Sequence, residues 1–193
     1  MNNKNYSQFP MSLKGSRREY ALTIINSLYE IKRTGWVDRG VKNPETVGEH
    51  TDQLIILANH YFSEIHGLSK MLKIHDWPEA KKNVGDRRTD NLCPEDHRIT
   101  KKEKRVLELE AMKDICFSLG HSGRIIMNLW LEYEEAQTER AKIAYQIDKL
   151  QAILKAIEYQ KDGQPVIAQE FIDYSGDVIK HPILKGILLR AIL

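Results

Sequence analysis

The sequence predicts an all-α fold in a single domain. Apolar residues recur at i, i+3, i+4 and i+7 in one segment after another, and two Thr-x-x-Glu capping boxes open helical runs. No stretch alternates apolar and polar residues as a half-buried strand would. At 193 residues the chain is long enough to bury a core without staples.

Residues 1–16 are polar, end near Gly15, and read as an N-terminal tail; 17–162 read as the helical core. The first helix follows from Ala21, Ile24, Ile25, Leu28 and Ile31 on one face. From Lys32 to Pro44 two glycines, a proline and several basic residues predict a loop. Thr46-Val47-Gly48-Glu49 is a capping box, and Val47, His50, Leu54, Leu57 and Tyr61 then share a face, directing His50 inward in the first turn. Leu68, Met71, Leu72 and His75 repeat that geometry, and Pro78 marks a break by disfavouring helix at Trp77. Lys81 to Ile99 is polar and reads as a lid, binding loop or disordered stretch. Thr100-Lys101-Lys102-Glu103 opens a helix through Val106, Leu109, Met112 and Cys116. Gly120 to Gly123 punctuates it, and Ile125, Ile126, Leu129, Trp130 and Tyr133 begin the next. Ile143, Ile147, Leu150, Leu154 and Ile157 stripe a long helix from about Glu139 to Gln160, and 163–193 carry two shorter helical patterns expected to pack on the core as an extension.

Net charge is only +2, from 29 basic and 27 acidic residues, which argues against a general grip on a nucleic-acid polymer. Cys93 and Cys116 have no metal-ligand spacing and no disulfide framework, as suits a reducing cytoplasm. The N-terminus has no apolar leader region and no segment reaches membrane-spanning length, so a cytoplasmic protein without a membrane partner is expected.

The adjacent His75 and Asp76 end an apolar run, an unusual pair to bury, and both residue types bind divalent metals. Asp148 sits about 140° around its helix from the Ile143 stripe, on a face of small residues, Ala141, Ala144 and Ala152. A carboxylate there needs a partner, either a metal or a basic side chain. A single inward histidine such as His50 is more often a hydrogen-bonded core residue than a ligand. Taken together, His50, His75, Asp76 and Asp148 change that balance, because one ion would compensate all of them.

Glu79 follows Asp76 by three residues, close enough to orient a water or carry its proton; a surface glutamate opening the next helix is the plain alternative. Asp86 fits an ordinary turn after Gly85 equally well. Trp36 offers either a stacking wall for a base or a cap on the core. Arg33, Lys81, Lys82, Arg87 and Arg88 suit phosphate, or a solvated face.

The chain resembles the HD-domain phosphohydrolase superfamily, and within it the 5'-deoxynucleotidase group. The matching stretches run in order over about two thirds of the chain: Arg33-Thr34-Gly35-Trp36-Val37, Pro44 to His50, His75-Asp76-Trp77-Pro78-Glu79-Ala80, Gly85-Asp86, Leu129 to Glu134 and Gln146 to Leu150. The resemblance implies an HD-domain helical bundle holding one divalent metal (Co, Mn, Zn, Mg or Fe) through His50, His75, Asp76 and Asp148. It also implies catalytic assistance from Glu79, and deoxynucleoside recognition by Arg33, Trp36 and Asp86. The implied reaction removes the 5'-phosphate of a deoxynucleoside monophosphate, with the enzyme a homodimer. The segment Ala80-Lys81-Lys82-Asn83-Val84 is two residues longer than the family spacing, and its Lys81 and Lys82 suit a longer phosphate chain. Alternatives are therefore a deoxynucleoside triphosphate triphosphohydrolase of the same superfamily, or a non-catalytic nucleotide-binding HD module. Dinuclear members of the superfamily use further histidines; His97 and His121 lie in loop-like contexts, so a single ion is expected.

Overall fold

The computed structural model describes residues 17–89 and 98–193, apart from the side chain of Arg18. The tail at 1–16, Cys93 and His97 lie outside the described residues. Helices dominate what is described: α1 (Arg17–Leu28), α2 (Thr34–Val37), α3 (Val47–Tyr61), α4 (Leu68–Ile74), α5 (Lys101–Leu119), α6 (His121–Glu135), α7 (Glu139–Lys161), α8 (Ala168–Ser175) and α9 (Pro182–Ile192). Single 3-10 turns follow α4 (Trp77–Ala80) and α8 (Gly176–Val178). Among the described residues the only β-type pairing is an antiparallel bridge between Lys32 and Thr46.

Both expected capping boxes form. Thr46 and Thr100 each accept a hydrogen bond from the backbone N–H of Glu49 and Glu103, whose carboxylates return to the threonine N–H groups. These caps fix where α3 and α5 begin, and hence the height of every residue along them.

The helix α7 is the axis of the molecule and packs against α3, α4, α6, α8 and α9. One core, on α3, α4, α7 and α9, is built from Leu54, Met71, Leu72, Ile147, Leu150 and Leu184. A second, between α1, α5, α6 and the first 3-10 turn, holds Ile24, Leu28, Trp77, Met112, Ile115 and Trp130. Ala141 and Ala144 are fully buried, so α7 is covered there as well as on its isoleucine stripe, whereas Ala152 on the same face is half-buried and lines a cavity.

Two local expectations shift. The segment from Lys32 to Pro44 contains the single turn α2, anchored by Trp36 in a small third core with Val41, Ala156, Tyr159 and Val166. Gly123 does not separate α5 from α6; it lies in the first turn of α6, where a Cβ would sit 1.8 Å from the Cys116 carbonyl oxygen. Glycine lets the two helices meet at their backbones.

Candidate metal centre and adjoining cavity

Three helices converge on one cluster of donors. His50 comes from the first turn of α3, His75 caps the C-terminus of α4, and Asp148 projects from the middle of α7. One ligand atom from each lies within 4.8 Å of the others, and all three residues are buried. Asp76 joins them because the chain leaves helical geometry there, at φ −98° and ψ 10°, before Pro78 enters the 3-10 turn. Its Oδ2 is 3.0 Å from His75 Nε2 and 3.9 Å from His50 Nε2, while Asp148 Oδ1 is 3.2 Å from His50 Nε2.

The donor chemistry fits a cation. His75 Nδ1 lies 2.7 Å from the Leu72 carbonyl oxygen, which can only accept, so Nδ1 carries the proton. In the neutral ring Nε2 then presents a lone pair, and it faces another acceptor, the Asp76 carboxylate. His50 Nε2 likewise has no hydrogen-bond partner among the described residues although it is buried. Lone pairs aimed at carboxylates from several sides call for a positive charge between them, and a divalent metal supplies it.

The field around the cluster calls for the same positive charge, which a proton on His75 Nε2 would supply in the metal-free protein and a metal would replace. Burial opposes ionisation of Asp76, but the neighbouring His75 and His50 hold it below the ordinary carboxylate range. Burial likewise opposes a charged Asp148, yet the Lys149 ammonium and His50 hold it well below. Burial works against a protonated His75 too, and the adjacent Asp76 carboxylate overcomes it, raising the imidazole above its usual value. Asp148 has a basic partner as well as the histidine: Lys149 Nζ is 2.8 Å from Oδ2, leaving Oδ1 toward His50.

Glu79 is buried in the 3-10 turn rather than exposed. Burial first, and then the negative charges of Asp76 and Asp86, push its carboxyl well above the ordinary value, which suits a group that holds and releases a proton. Lys104 of α5 stands 3.4 Å from Glu79 Oε1 and 3.5 Å from Glu108 Oε1, and donates to the Arg87 carbonyl. Sequence reasoning missed Lys104, because one lysine in a Lys/Glu-rich helix start carries no signal.

Arg33, Trp36 and Asp86 line one cavity together with Arg39, Arg88, Lys149, Phe171 and Tyr174. The bridge at Lys32–Thr46 sets Arg33, whose half-buried side chain lies in the field of Asp86, Asp148 and Asp76. Asp86 Oδ2 accepts from the Thr34 N–H at 2.6 Å, which ties the polar segment after Glu79 to α2. Trp36 is both core and wall. Its ring stacks on Phe171 at 4.8 Å and meets Tyr159 edge-on, so Phe171 and the exposed Tyr174 offer the cavity aromatic surface as well. Neither was visible as a site residue in the sequence, since both lie far along the chain on α8.

Lys81 and Lys82 are not brought to this cavity. Lys81 reaches Tyr20 of α1, donating to its hydroxyl at 3.1 Å, and Lys82 is exposed. The longer segment folds as a turn, with Val84 and Gly85 N–H groups on the Lys81 carbonyl and Val84 buried beneath it. Lys81 is thus held on α1 and Lys82 left in solvent, while Val84 is the residue of the segment that is buried. A second cavity of about 610 Å³ draws its positive charge from Lys101, Lys104, Arg105 and Lys149 instead, and shares Lys149, Tyr174 and Ser175 with the first. His121 opens α6 as an exposed residue and takes no part in the cluster.

A helical bundle with a His, a His-Asp pair and a distant Asp around one point is the arrangement of an HD domain. The profile of that family, described as HD domain, matches residues 25–183, and the chain belongs to it. Such a domain implies a bound divalent metal. The chain is similar to the 5'-deoxynucleotidase HDDC2 of Dictyostelium discoideum, with 34% identity over 183 residues covering 86% of this chain and 92% of that protein. It is also 32% identical to the human protein of the same name, covering 83% of this chain and 78% of the relative. Among solved structures it resembles a conserved hypothetical protein from Pyrococcus furiosus, at 26% identity and a TM-score of 0.68, over 90% of this chain and 98% of the other. A "predicted metal-dependent phosphohydrolase" from Magnetospirillum magnetotacticum shares the fold at 21% identity and a TM-score of 0.65, over 92% and 94% of the two chains.

Proposed function

We propose that this chain is a metal-dependent phosphohydrolase that removes the 5'-phosphate from deoxynucleoside monophosphates. The observation that carries the reading is the donor cluster of His50, His75, Asp76 and Asp148, beside a cavity lined by Arg33, Trp36 and Asp86. The names of the relatives, 5'-deoxynucleotidases from a slime mould to human, support the same substrate class.

In this reading the four side chains hold one divalent ion, which when bound polarises the phosphoryl group and acidifies water. Two imidazole nitrogens and two carboxylates make a mixed donor set that would accept several divalent metals, cobalt, manganese, zinc, magnesium and iron among them. Glu79 takes the proton of the attacking water and later returns one to the leaving 5'-oxygen; its raised affinity for protons serves both steps. Lys104 holds Glu79 in place and adds positive charge where negative charge develops. Arg33 binds a phosphate oxygen, and Asp86, fixed by Thr34, reads the sugar. Trp36, Phe171 and Tyr174 form an aromatic wall for the base. Residues 163–193 are read as an extension that supplies Phe171 and Tyr174 to this wall, and the enzyme as a homodimer. Among the described residues no helix is long and apolar enough to cross a membrane.

The test is a panel of deoxy- and ribonucleotides, from mono- to triphosphate, assayed with cobalt, manganese, magnesium and zinc, with all products resolved. Deoxynucleoside and orthophosphate from the monophosphates are expected. Tripolyphosphate from deoxynucleoside triphosphates as the dominant product would replace the reading with a triphosphohydrolase. No turnover with any metal, from protein shown to bind that metal, would leave a nucleotide-binding module.

A further inference from the structure

We propose that Glu45, acting through Gln151, is a positioning residue that fixes His50 as the Nδ1–H tautomer and so aims its Nε2 lone pair at the donor cluster. The two histidines are held differently. His75 Nδ1 meets a backbone carbonyl, which settles its tautomer in one contact. His50 Nδ1 meets the side-chain amide of Gln151, with Oε1 at 2.6 Å. Imidazole and amide are both two-faced, each able to donate or accept, so that contact alone leaves the sense of the hydrogen bond open.

The sense is decided one residue further away. The Gln151 amide is completely used: Nε2 donates to Glu45 Oε2 at 3.1 Å and to Gln53 Oε1 at 2.9 Å. A carboxylate only accepts, so the NH2 of Gln151 must face Glu45 and its oxygen must face His50. His50 Nδ1 is then the donor. The other Glu45 oxygen, Oε1, accepts from Trp36 Nε1 at 3.0 Å, and an indole N–H only donates. The network thus has a fixed polarity at its far end, with Glu45 as acceptor to both sides. His50, Glu45 and Gln151 are all buried, at 0%, 5% and 2% exposure, so water offers them little alternative.

Glu45→Gln keeps shape and removes the polarity. Trp36 still donates, so the new amide turns its oxygen to the indole and its NH2 toward Gln151. The amides of Gln151 and Gln53 then reverse, and His50 Nδ1 becomes the acceptor with the proton on Nε2. No lone pair is left for a metal.

The measurement uses the full chain, metal-free and 15N-labelled, with long-range proton–nitrogen correlation reporting each ring's tautomer and His50 assigned from the His50→Asn spectrum. Wild type should show a proton on His50 Nδ1, whether or not the Asp148 carboxylate 3.2 Å away holds a second one on Nε2, and E45Q should show a proton on Nε2 alone. Cobalt(II) alone, titrated into each, should bind E45Q about 10–100-fold more weakly. The exchange variant E45Q/Q151E places an acceptor-only carboxylate against His50, with an amide donating to it, and should restore both tautomer and cobalt affinity. A purely space-filling role for Glu45 would not produce that rescue. A wild-type His50 with no proton on Nδ1, an unchanged Nδ1 proton and affinity in E45Q, or an exchange variant that folds without recovery each overturns the relay. If one variant fails to fold, the other decides, and a wild-type His50 without a proton on Nδ1 overturns the relay by itself. The relay rests on His50 being a metal ligand: absence of cobalt binding by wild type would overturn that reading, whereas the metal-free tautomer tests the relay itself.

Discussion

Trp130 supports the metal centre from behind, and replacing it with phenylalanine removes one hydrogen bond and one edge of a buried ring. Its indole Nε1 donates to the His75 carbonyl at 3.1 Å, and the ring is fully buried in the second core. His75 caps α4, so its carbonyl has no partner inside that helix. Phenylalanine keeps much of the ring but loses the donor. Leaving a buried carbonyl short of a partner costs about 1–3 kcal/mol. The void left by the missing pyrrole edge adds about 1 kcal/mol, judged from buried carbon deletions. The expected loss is therefore about 2–4 kcal/mol, within a total stability of about 5–15 kcal/mol, so Trp130→Phe should still fold. Urea unfolding followed by helical circular dichroism, with a chelator so that no metal contributes, should show the midpoint falling by about 1–2 M at an unchanged slope. A midpoint shift below about 0.3 M would refute the reasoning, since neither the hydrogen bond nor the packing would then be contributing as described.

Two further outcomes follow from the charges beside the centre. Lys104 lowers the Glu79 carboxyl against the burial that raises it, so Lys104→Met should raise Glu79 further and move the acid limb of the pH–rate profile toward alkaline pH. A profile that keeps its position while kcat falls would separate Lys104 from Glu79. Burial first, against the partial relief from Lys104, pushes the Glu108 carboxyl up from 4.5 to about 7. Between those values the native state binds more protons than the unfolded chain, so this group's contribution to stability declines as pH rises through that window. Glu108→Gln should flatten that decline, giving a larger gain in melting temperature at pH 8 than at pH 5, and equal shifts at both would contradict the assignment.

Much of the molecule was written locally in the sequence. The helices follow from periodicity and from the boxes at Thr46 and Thr100, because capping and amphipathic spacing act within a turn or two of chain. The inward direction of His50 follows for the same reason, since a cap sets the phase of a helix; the break that Pro78 announced after the His75–Asp76 pair falls earlier, with α4 ending at Ile74 and Pro78 opening a 3-10 turn. The alanines of α7 likewise announced that the helix would be covered on its second face, which holds for Ala141, Ala144 and the buried Asp148, while Ala152 opens onto a cavity. What covers Asp148 could not be read. Lys104 against Glu79, Gln151 between His50 and Glu45, and Phe171 against Trp36 are pairs separated by 25 to 135 residues, and hydrophobic packing alone brings them to contact distance. The placing of Lys81 on Tyr20, away from the cavity, was decided there as well, across 61 residues of chain. The sequence determines which residues carry donors and where helices place them along their axes. The tertiary fold decides which donor meets which acceptor, because the dry interior lets a few buried groups impose their polarity on their neighbours.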